Sequence, residues 1–369
     1  MRHWVMDYET LANCFTGVFE HYKTQETEIF VIHDLQNDLP KFISFLQENI
    51  NNKEWHISYN GLAFDAQVTH YILDNYFLWK DLEGCEVAAI IYKYAQRCIT
   101  KSNNKEFSDY PAWKMKMGQI DIFKMHHWDN AAKRSSLKWI QYSMDWQNII
   151  DMPIHHETLI HTQAEIDTIL EYCVNDVKST KEIYNRSHSQ VKLRKELTKE
   201  YNINLYSASE PRISKEIFGY FLTKKLGIPK RDLKQMRTYR ETIKVSDIIL
   251  PYISFTSLEF NVLLDRFKSL EVNAYNLKGS FKYAIEYKNV KTHFGLGGVH
   301  GAANKGVYEP DDDMMIMSSD VTSFYPNLAI KNQWSPGHFP KEEFCDQYEW
   351  FFEERKKIPK SNPMNYVYK

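Results

Sequence analysis

The chain has 369 residues, 43% of them apolar and 15% aromatic, enough to build two or three domains with sizeable cores. No apolar run reaches the roughly 18 residues of a membrane span and no signal-like preamble precedes Trp4-Val5-Met6, so no membrane partner is expected and the default location is cytoplasmic. A net charge of −2 lacks the global basicity often seen in nucleic-acid binders, and five widely spaced cysteines without a C-x-x-C pair argue against both a disulfide framework and a zinc site.

In chain order, Val5 to Glu9 and Ile29 to Ile32 read as short strands, and Leu39 to Asn49 as an amphipathic helix with apolar residues at a spacing of three to four. Trp55 to Tyr59 alternates like a strand and runs into Asn60-Gly61, a turn signal, so Asp65 stands where a strand end feeds a helix over residues 66–75. Side chains at such strand ends face an open cleft in α/β folds. Residues 80–118 are mixed in pattern, with an exposed loop expected from Lys101 to Ser108. Gln119 to Phe123 reads as a further strand, and residues 135–140 as a helix capped by serine.

Thr162-Gln163-Ala164-Glu165 is a capping box, and the helix behind it places Tyr172 and Asp176, four apart, on one face. From about Arg186 to Lys225 the chain reads as basic and helical, stopped by Gly227-Ile228-Pro229. Gly295 to Gly301 is a glycine cluster without the pattern of either nucleotide-binding loop, and so a connector. Met314 to Met317 is expected to be a buried strand that delivers Asp320 at its end.

Charge is unevenly spread. Arg212 to Lys244 holds ten Lys or Arg against three acids, whereas the first sixty residues hold nine acids against four basic residues. That fits an acidic, metal-centred site next to a surface that tracks phosphates, although a solvated helical face explains the basic stretch equally well. Asp7, Glu9, Asp65 and Asp176 stand at positions that can converge. Gathered together they would repel one another unless hard cations such as Mg²⁺ or Mn²⁺ neutralised them. Two such ions are a known solution for phosphodiester hydrolysis, and a tyrosine hydroxyl beside them can orient the attacking water.

Asp7-x-Glu9, Asn60-x-x-x-Phe64-Asp65 and Tyr172-x-x-x-Asp176 resemble, in the same order, the three exonuclease motifs of family B DNA polymerases. Lys138, in Ser-Leu-Lys-Trp-Ile, resembles the extra lysine motif of the phage members. Asp320-Val-Thr-Ser323-Phe-Tyr325-Pro is similar to the first polymerase motif of that family, with Phe324 in place of Leu. Gly297-Gly298 looks like its glycine-pair connector, which contacts template. These matches run from residue 7 to residue 326.

The resemblance implies an α/β chain with a ribonuclease H-like 3′–5′ exonuclease domain (1–190), a basic helical connector (191–300) and an incomplete α+β polymerase palm (301–369). It implies two Mg²⁺ or Mn²⁺ ions held by Asp7, Glu9, Asp65 and Asp176, and polymerase metals at Asp320. Tyr172 would position the water and Lys138 would meet the scissile phosphate. Thr10, Asn60 and Phe64 would seat the primer end, with Phe64 equally suited to core packing, and Ser323 and Tyr325 would meet the nucleotide.

Only 49 residues follow Asp320, with Asp346 as their single aspartate, so the second metal motif of the palm and the finger helix are missing. The partners implied are a single-stranded primer end, primer–template DNA and a second polymerase polypeptide, with dNTP bound only if that polypeptide completes the site. A phage or prophage origin implies a bacterial host cell. Two alternatives stand beside this reading: a free-standing exonuclease acting on RNA, and a non-catalytic DNA-binding or assembly subunit.

Overall fold

The computed structural model describes residues 3–132, 134–276, 282–295 and 298–368. It is a mixed α/β structure that divides into two compact units, residues 1–222 with 350–369, and residues 223–349. These limits differ from the three segments expected at 190 and 300. Part of the reason is that residues 350–368 return to pack with helices of the larger unit.

Alternation in the first strand, β1 (His3–Thr10), sets the layering of the larger unit. Successive strand side chains point to opposite faces. Trp4, Met6 and Tyr8 therefore enter one core and Val5 another, with Asp7 and Glu9 on the side of Val5. β1 pairs antiparallel with β2 (Phe15–His21), β2 with β3 (Thr27–His33), and β3 with β4 (Gln36–Asn37).

After α1 (Leu39–Asn51), β5 (Trp55–Ser58) returns parallel to β1. After α2 (Asp65–Asn75) and α3 (Gly84–Asn103), β6 (Gly118–Asp121) lies parallel to β5. The strand order is β4-β3-β2-β1-β5-β6, so β1 is interior, and its carboxyl end lies at the same edge as those of β5 and β6.

Helices cover both faces. Phe42 and Leu46 of α1, Val68 and Ile72 of α2, and Ile91 of α3 join the core under Trp4, Met6 and Tyr8. A fully buried side chain of this size contributes about 1.5–3 kcal/mol. Against the other face lie α4 (Ile122–Met125), α5 (Leu137–Ser143) and the 24-residue α6 (Gln163–Arg186), with Cys173 and Val177 packed on Val5, Val18, Ile57 and Ile120.

The expected capping box is present, with Thr162 Oγ1 accepting from the Glu165 amide and the Glu165 carboxylate accepting from the Thr162 amide. α7 (His188–Tyr201) and α8 (Glu210–Leu226) form a third core with Phe351 and Val367. Beneath it, the buried Arg194 donates to the carbonyls of Met125, Gln190 and Ala208 at 2.9 to 3.0 Å.

Residues 80–118 are more ordered than expected, because the 20-residue α3 fills most of that span and only its exposed tail coincides with the loop placed at Lys101 to Ser108. The strand placed at Gln119 to Phe123 stops at Asp121, where the Asp121 side chain caps α4.

In the smaller unit, α9 (Leu258–Lys268) packs Phe260 and Phe267 on a three-stranded antiparallel sheet, while β7 (Thr242–Lys244) pairs with β8 (Glu271–Asn273). That sheet consists of β9 (Lys282–Tyr287), β10 (Val290–Gly295) and β11 (Gly298–Ala303). Of the glycine cluster, expected as a flexible or tightly turning connector, Gly295 ends β10 and Gly298, paired with it, opens β11, while residues 296 and 297 lie outside the described residues.

One expectation is overturned outright. Met314 to Met317 form no strand, and their side chains are 63 to 81% exposed. An apolar run becomes a strand only where a sheet edge offers its backbone partners, and among the described residues none pairs with it.

Candidate metal centre

The period of β1 and the turn of α6 bring the acidic residues together. Asp7 and Glu9, two apart, leave the strand on the face that α6 covers, and Asp176 leaves α6 towards them one turn beyond Tyr172. One carboxylate oxygen from each of Asp7, Glu9 and Asp176 lies within 4.8 Å of the others. The Cys173 thiol, between Tyr172 and Asp176 on α6, donates to the Asp7 carbonyl at 3.4 Å and so ties the helix to the strand.

Asp65, the first residue of α2, lies outside that 4.8 Å set but is close enough for its charge to act on Asp7 and Glu9. It is 2% exposed, and its Oδ1 has no hydrogen-bond partner among the described residues. The loop that delivers it begins with Asn60 in the left-handed region, φ 68°, followed by Gly61, where a Cβ would lie 1.9 Å from Ser58 Oγ. No larger residue fits there without movement.

Electrostatics argue for a cation. Burial, then repulsion by Asp65, Glu9 and Asp176, raises the Asp7 carboxyl well above its ordinary range. Burial, with Asp176 and Asp65, pushes Glu9 up to about 8, against a smaller opposing pull from Lys138. Burial raises Asp65 to about 7, and Asp121 adds to it. Asp176 is also raised by burial, which hydrogen bonding from Gln141 and the charge of Lys138 partly offset. Four carboxyl groups held in this way resist common ionisation, and an all-oxygen donor set with an unpartnered Asp65 oxygen suits a hard divalent ion.

Lys138, on α5, holds its Nζ 4.6 Å from the centre of the Tyr172 ring. That nitrogen is shut off from solvent and has no hydrogen-bond partner among the described residues; the exposed Asp151 lies 4.0 Å from it, and its charge also acts on Glu9 and Asp176. A buried ammonium without a hydrogen-bonding acceptor is costly, a cost that the charges of Glu9 and Asp176 and the face of the Tyr172 ring partly offset. Tyr172 is itself buried, and burial and the adjacent Asp176 raise its phenol above the usual range.

Two further residues shape the site without having been singled out in the sequence. Gln141 is fully buried and donates to Asp176 Oδ1 at 2.9 Å and to Ser179 Oγ at 2.8 Å. Its signal was its place three residues after Lys138, on the same helical face. Asp121, at the end of β6, accepts from the amides of Asn60 and Leu62 at 3.0 Å each and of Lys124 at 3.2 Å, so it clamps the loop that carries Asp65.

The remaining expected residues fall into two groups. Thr10 ends β1 with its side chain buried, Asn60 opens the Asp65 loop, and the half-buried Phe64 packs on the first core, the competing role expected for it. Asp320 is exposed, and among the described residues no carboxylate cluster forms around it. Ser323 precedes a helix over 324–331 in the left-handed region and Tyr325 is exposed. Gly298 opens β11 with a Cβ position 3.7 Å from Tyr325 Oη, and Gly297 lies outside the described residues. The basic residues of 212–244 are spread over several elements, and Lys225 pairs with Asp346.

No protein-family model and no curated protein matches the chain. All five cysteines are free. Among the described residues no helix is long and apolar enough to cross a membrane.

Proposed function

We propose that the larger unit is a ribonuclease H-like 3′–5′ exonuclease that hydrolyses the terminal phosphodiester of a DNA strand, and that it serves as the proofreading region of a family B DNA polymerase. The observation that carries this reading is the convergence of Asp7, Glu9 and Asp176 oxygens within 4.8 Å beside the unpartnered Asp65 oxygen. The strand order supports it, with four antiparallel strands, the last only two residues long, followed by two parallel ones, and the acids towards the carboxyl end of an interior strand.

Asp7, Glu9, Asp176 and Asp65 would hold two Mg²⁺ or Mn²⁺ ions, which supply charge to activate water and to stabilise the leaving oxygen. Tyr172, beside Asp176, orients the attacking water through its hydroxyl. The Lys138 ammonium, lacking a hydrogen-bonding acceptor, neutralises the scissile phosphate, and Gln141 keeps Asp176 turned towards the cluster.

The test is digestion of end-labelled single-stranded DNA and RNA by the purified chain with Mg²⁺ or Mn²⁺, compared with an Asp7→Asn, Glu9→Gln variant. The reading expects DNA to shorten from its 3′ end and the variant to be inactive. Equal digestion by the variant removes the assignment. Preference for RNA replaces the polymerase context with a free-standing ribonuclease.

A second reading concerns the smaller unit. Met314 to Met317, Val321 and Tyr325 are apolar or aromatic and lie exposed, which favours a surface for assembly with a second polymerase polypeptide. On that reading the chain alone does not extend a primer with dNTP, and primer extension by the purified chain would refute it.

A further inference from the structure

A cavity of about 670 Å³ opens beside the loop that delivers Asp65, lined on one side by Asn60, Leu62 and Ala63 and on the other by residues 101–112. Its charges are unequal. Two of its three acids are paired nearby, Asp109 with Lys101 and Arg97 and Asp129 with Lys124. Three cations on its wall, Lys105, Arg134 and Arg212, make no ion pair with a described residue, and only Glu106 remains to oppose them.

Two exposed aromatic rings neighbour the lining in sequence without belonging to it, and Lys114 Nζ lies 5.0 Å from the centre of the Trp113 ring. Phe107 is 97% exposed, between Glu106 and Ser108 of the lining, and Trp113 is 79% exposed, next to Ala112. The segment that carries them is fastened to the catalytic loop by one buried side chain. Gln67 donates to the carbonyls of Leu62 and Tyr110 at 2.9 and 2.8 Å and accepts from the Tyr110 amide at 2.9 Å. That segment and the loop that positions Asp65 are thereby held in register.

Unpaired cations on the cavity wall with exposed rings beside it suit one ligand chemistry, a flexible chain of phosphates with stackable bases. We propose that this cavity is the path of a single nucleic-acid strand, with Lys105, Arg134 and Arg212 on its phosphates and Phe107 and Trp113 stacking bases several nucleotides from the end being cut. This rests on the exonuclease reading for its direction, but the binding site can be tested without catalysis.

Fluorescence anisotropy with the full chain in EDTA, using labelled oligothymidylates of about three and about twelve nucleotides, reads the groove directly. Phe107→Ala with Trp113→Ala should weaken binding of the longer oligonucleotide about tenfold or more and leave the shorter one unchanged. Lys105→Ala, Arg134→Ala, Arg212→Ala should lower the slope of log affinity against log salt by about 2, three contacts at about 0.7 each.

Because the altered side chains lie on the cavity wall or in solvent, unchanged circular dichroism and melting are expected to accompany these losses. Wild-type affinity and slope in both variants, or equal affinity for a blunt duplex of the same length, overturns the proposal. If the losses appear but the wild-type chain hydrolyses nothing, the groove stands and the exonuclease reading falls. If hydrolysis is intact and both variants bind normally, the groove falls alone.

Discussion

Replacing Glu9 with Gln should make the metal-free protein more stable at pH 8, the reverse of what a substitution on an interior strand ordinarily does. Glu9 has its pKa pushed from 4.5 to about 8, chiefly by burial and then by Asp176 and Asp65. The folded state therefore keeps a proton that the unfolded chain releases, and stability falls as pH rises through the window from 4.5 to about 8. At about 1.4 kcal/mol per pKa unit, a shift of this size corresponds to roughly 5 kcal/mol.

Glu9 is partly exposed and shares one field with its neighbours, so about 3 kcal/mol is the expected loss between pH 5 and pH 8. Mg²⁺ or Mn²⁺ should restore most of it, since ion at a hundredfold its Kd adds about 2.7 kcal/mol. The measurement is urea unfolding followed by circular dichroism, at both pH values, with EDTA and with metal. The Gln variant should lose the share of the pH dependence that Glu9 contributes, together with most of the metal response, while Asp7 and Asp65 keep theirs. If the metal-free parent is equally stable at both pH values, or Glu9→Gln gives no gain at pH 8, the cluster is not the strained group described above.

Other expectations follow from the residues around the cluster. Asp121→Ala leaves three backbone amides without their acceptor and should cost about 1–3 kcal/mol in unfolding experiments while lowering the rate of strand digestion. Gln141→Leu frees Asp176 from its donor and should weaken metal affinity about 10- to 100-fold by calorimetric titration, with the melting temperature of the metal-free chain little changed. Arg194→Met strands the carbonyls of Met125, Gln190 and Ala208. It should destabilise the larger unit by about 3 kcal/mol or more in denaturant, without altering the cleavage pattern.

The acids of the site were legible because they sit on strongly patterned elements. Alternation put Asp7 beside Glu9 in β1, the Asn60-Gly61 turn placed Asp65 at a helix start, and a capping box fixed the helix of Tyr172 and Asp176. What was missed lacked such a pattern. β2 is buried at all seven positions, because strands flank it on both edges and cores on both faces, so no polar alternation marks it. α3 begins at a Glu83 cap in place of the usual Ser, Thr, Asp or Asn. Gln141 and Asp121 matter only through residues 35 and about 60 positions away. Met314 to Met317 misled for the opposite reason, since their composition favours a strand but no sheet edge receives them.

The tie made by Gln67 divides the molecule into a fixed floor and an adjustable wall. Asp7 and Glu9 stand on an interior strand, paired with β2 from Trp4 to Thr10 and with β5 from His3 to Val5, the part of a sheet that opens last. The segment after α3, with Phe107 and Trp113 exposed, is tied instead through side chains: Gln67 on Tyr110, His70 on the Lys116 amide, and Asp109 on Arg97 and Lys101. The exposed positions between those ties can change side chain while the carboxylate geometry stays as it is. On the proposed function, strand binding and hydrolysis would then be open to change one at a time.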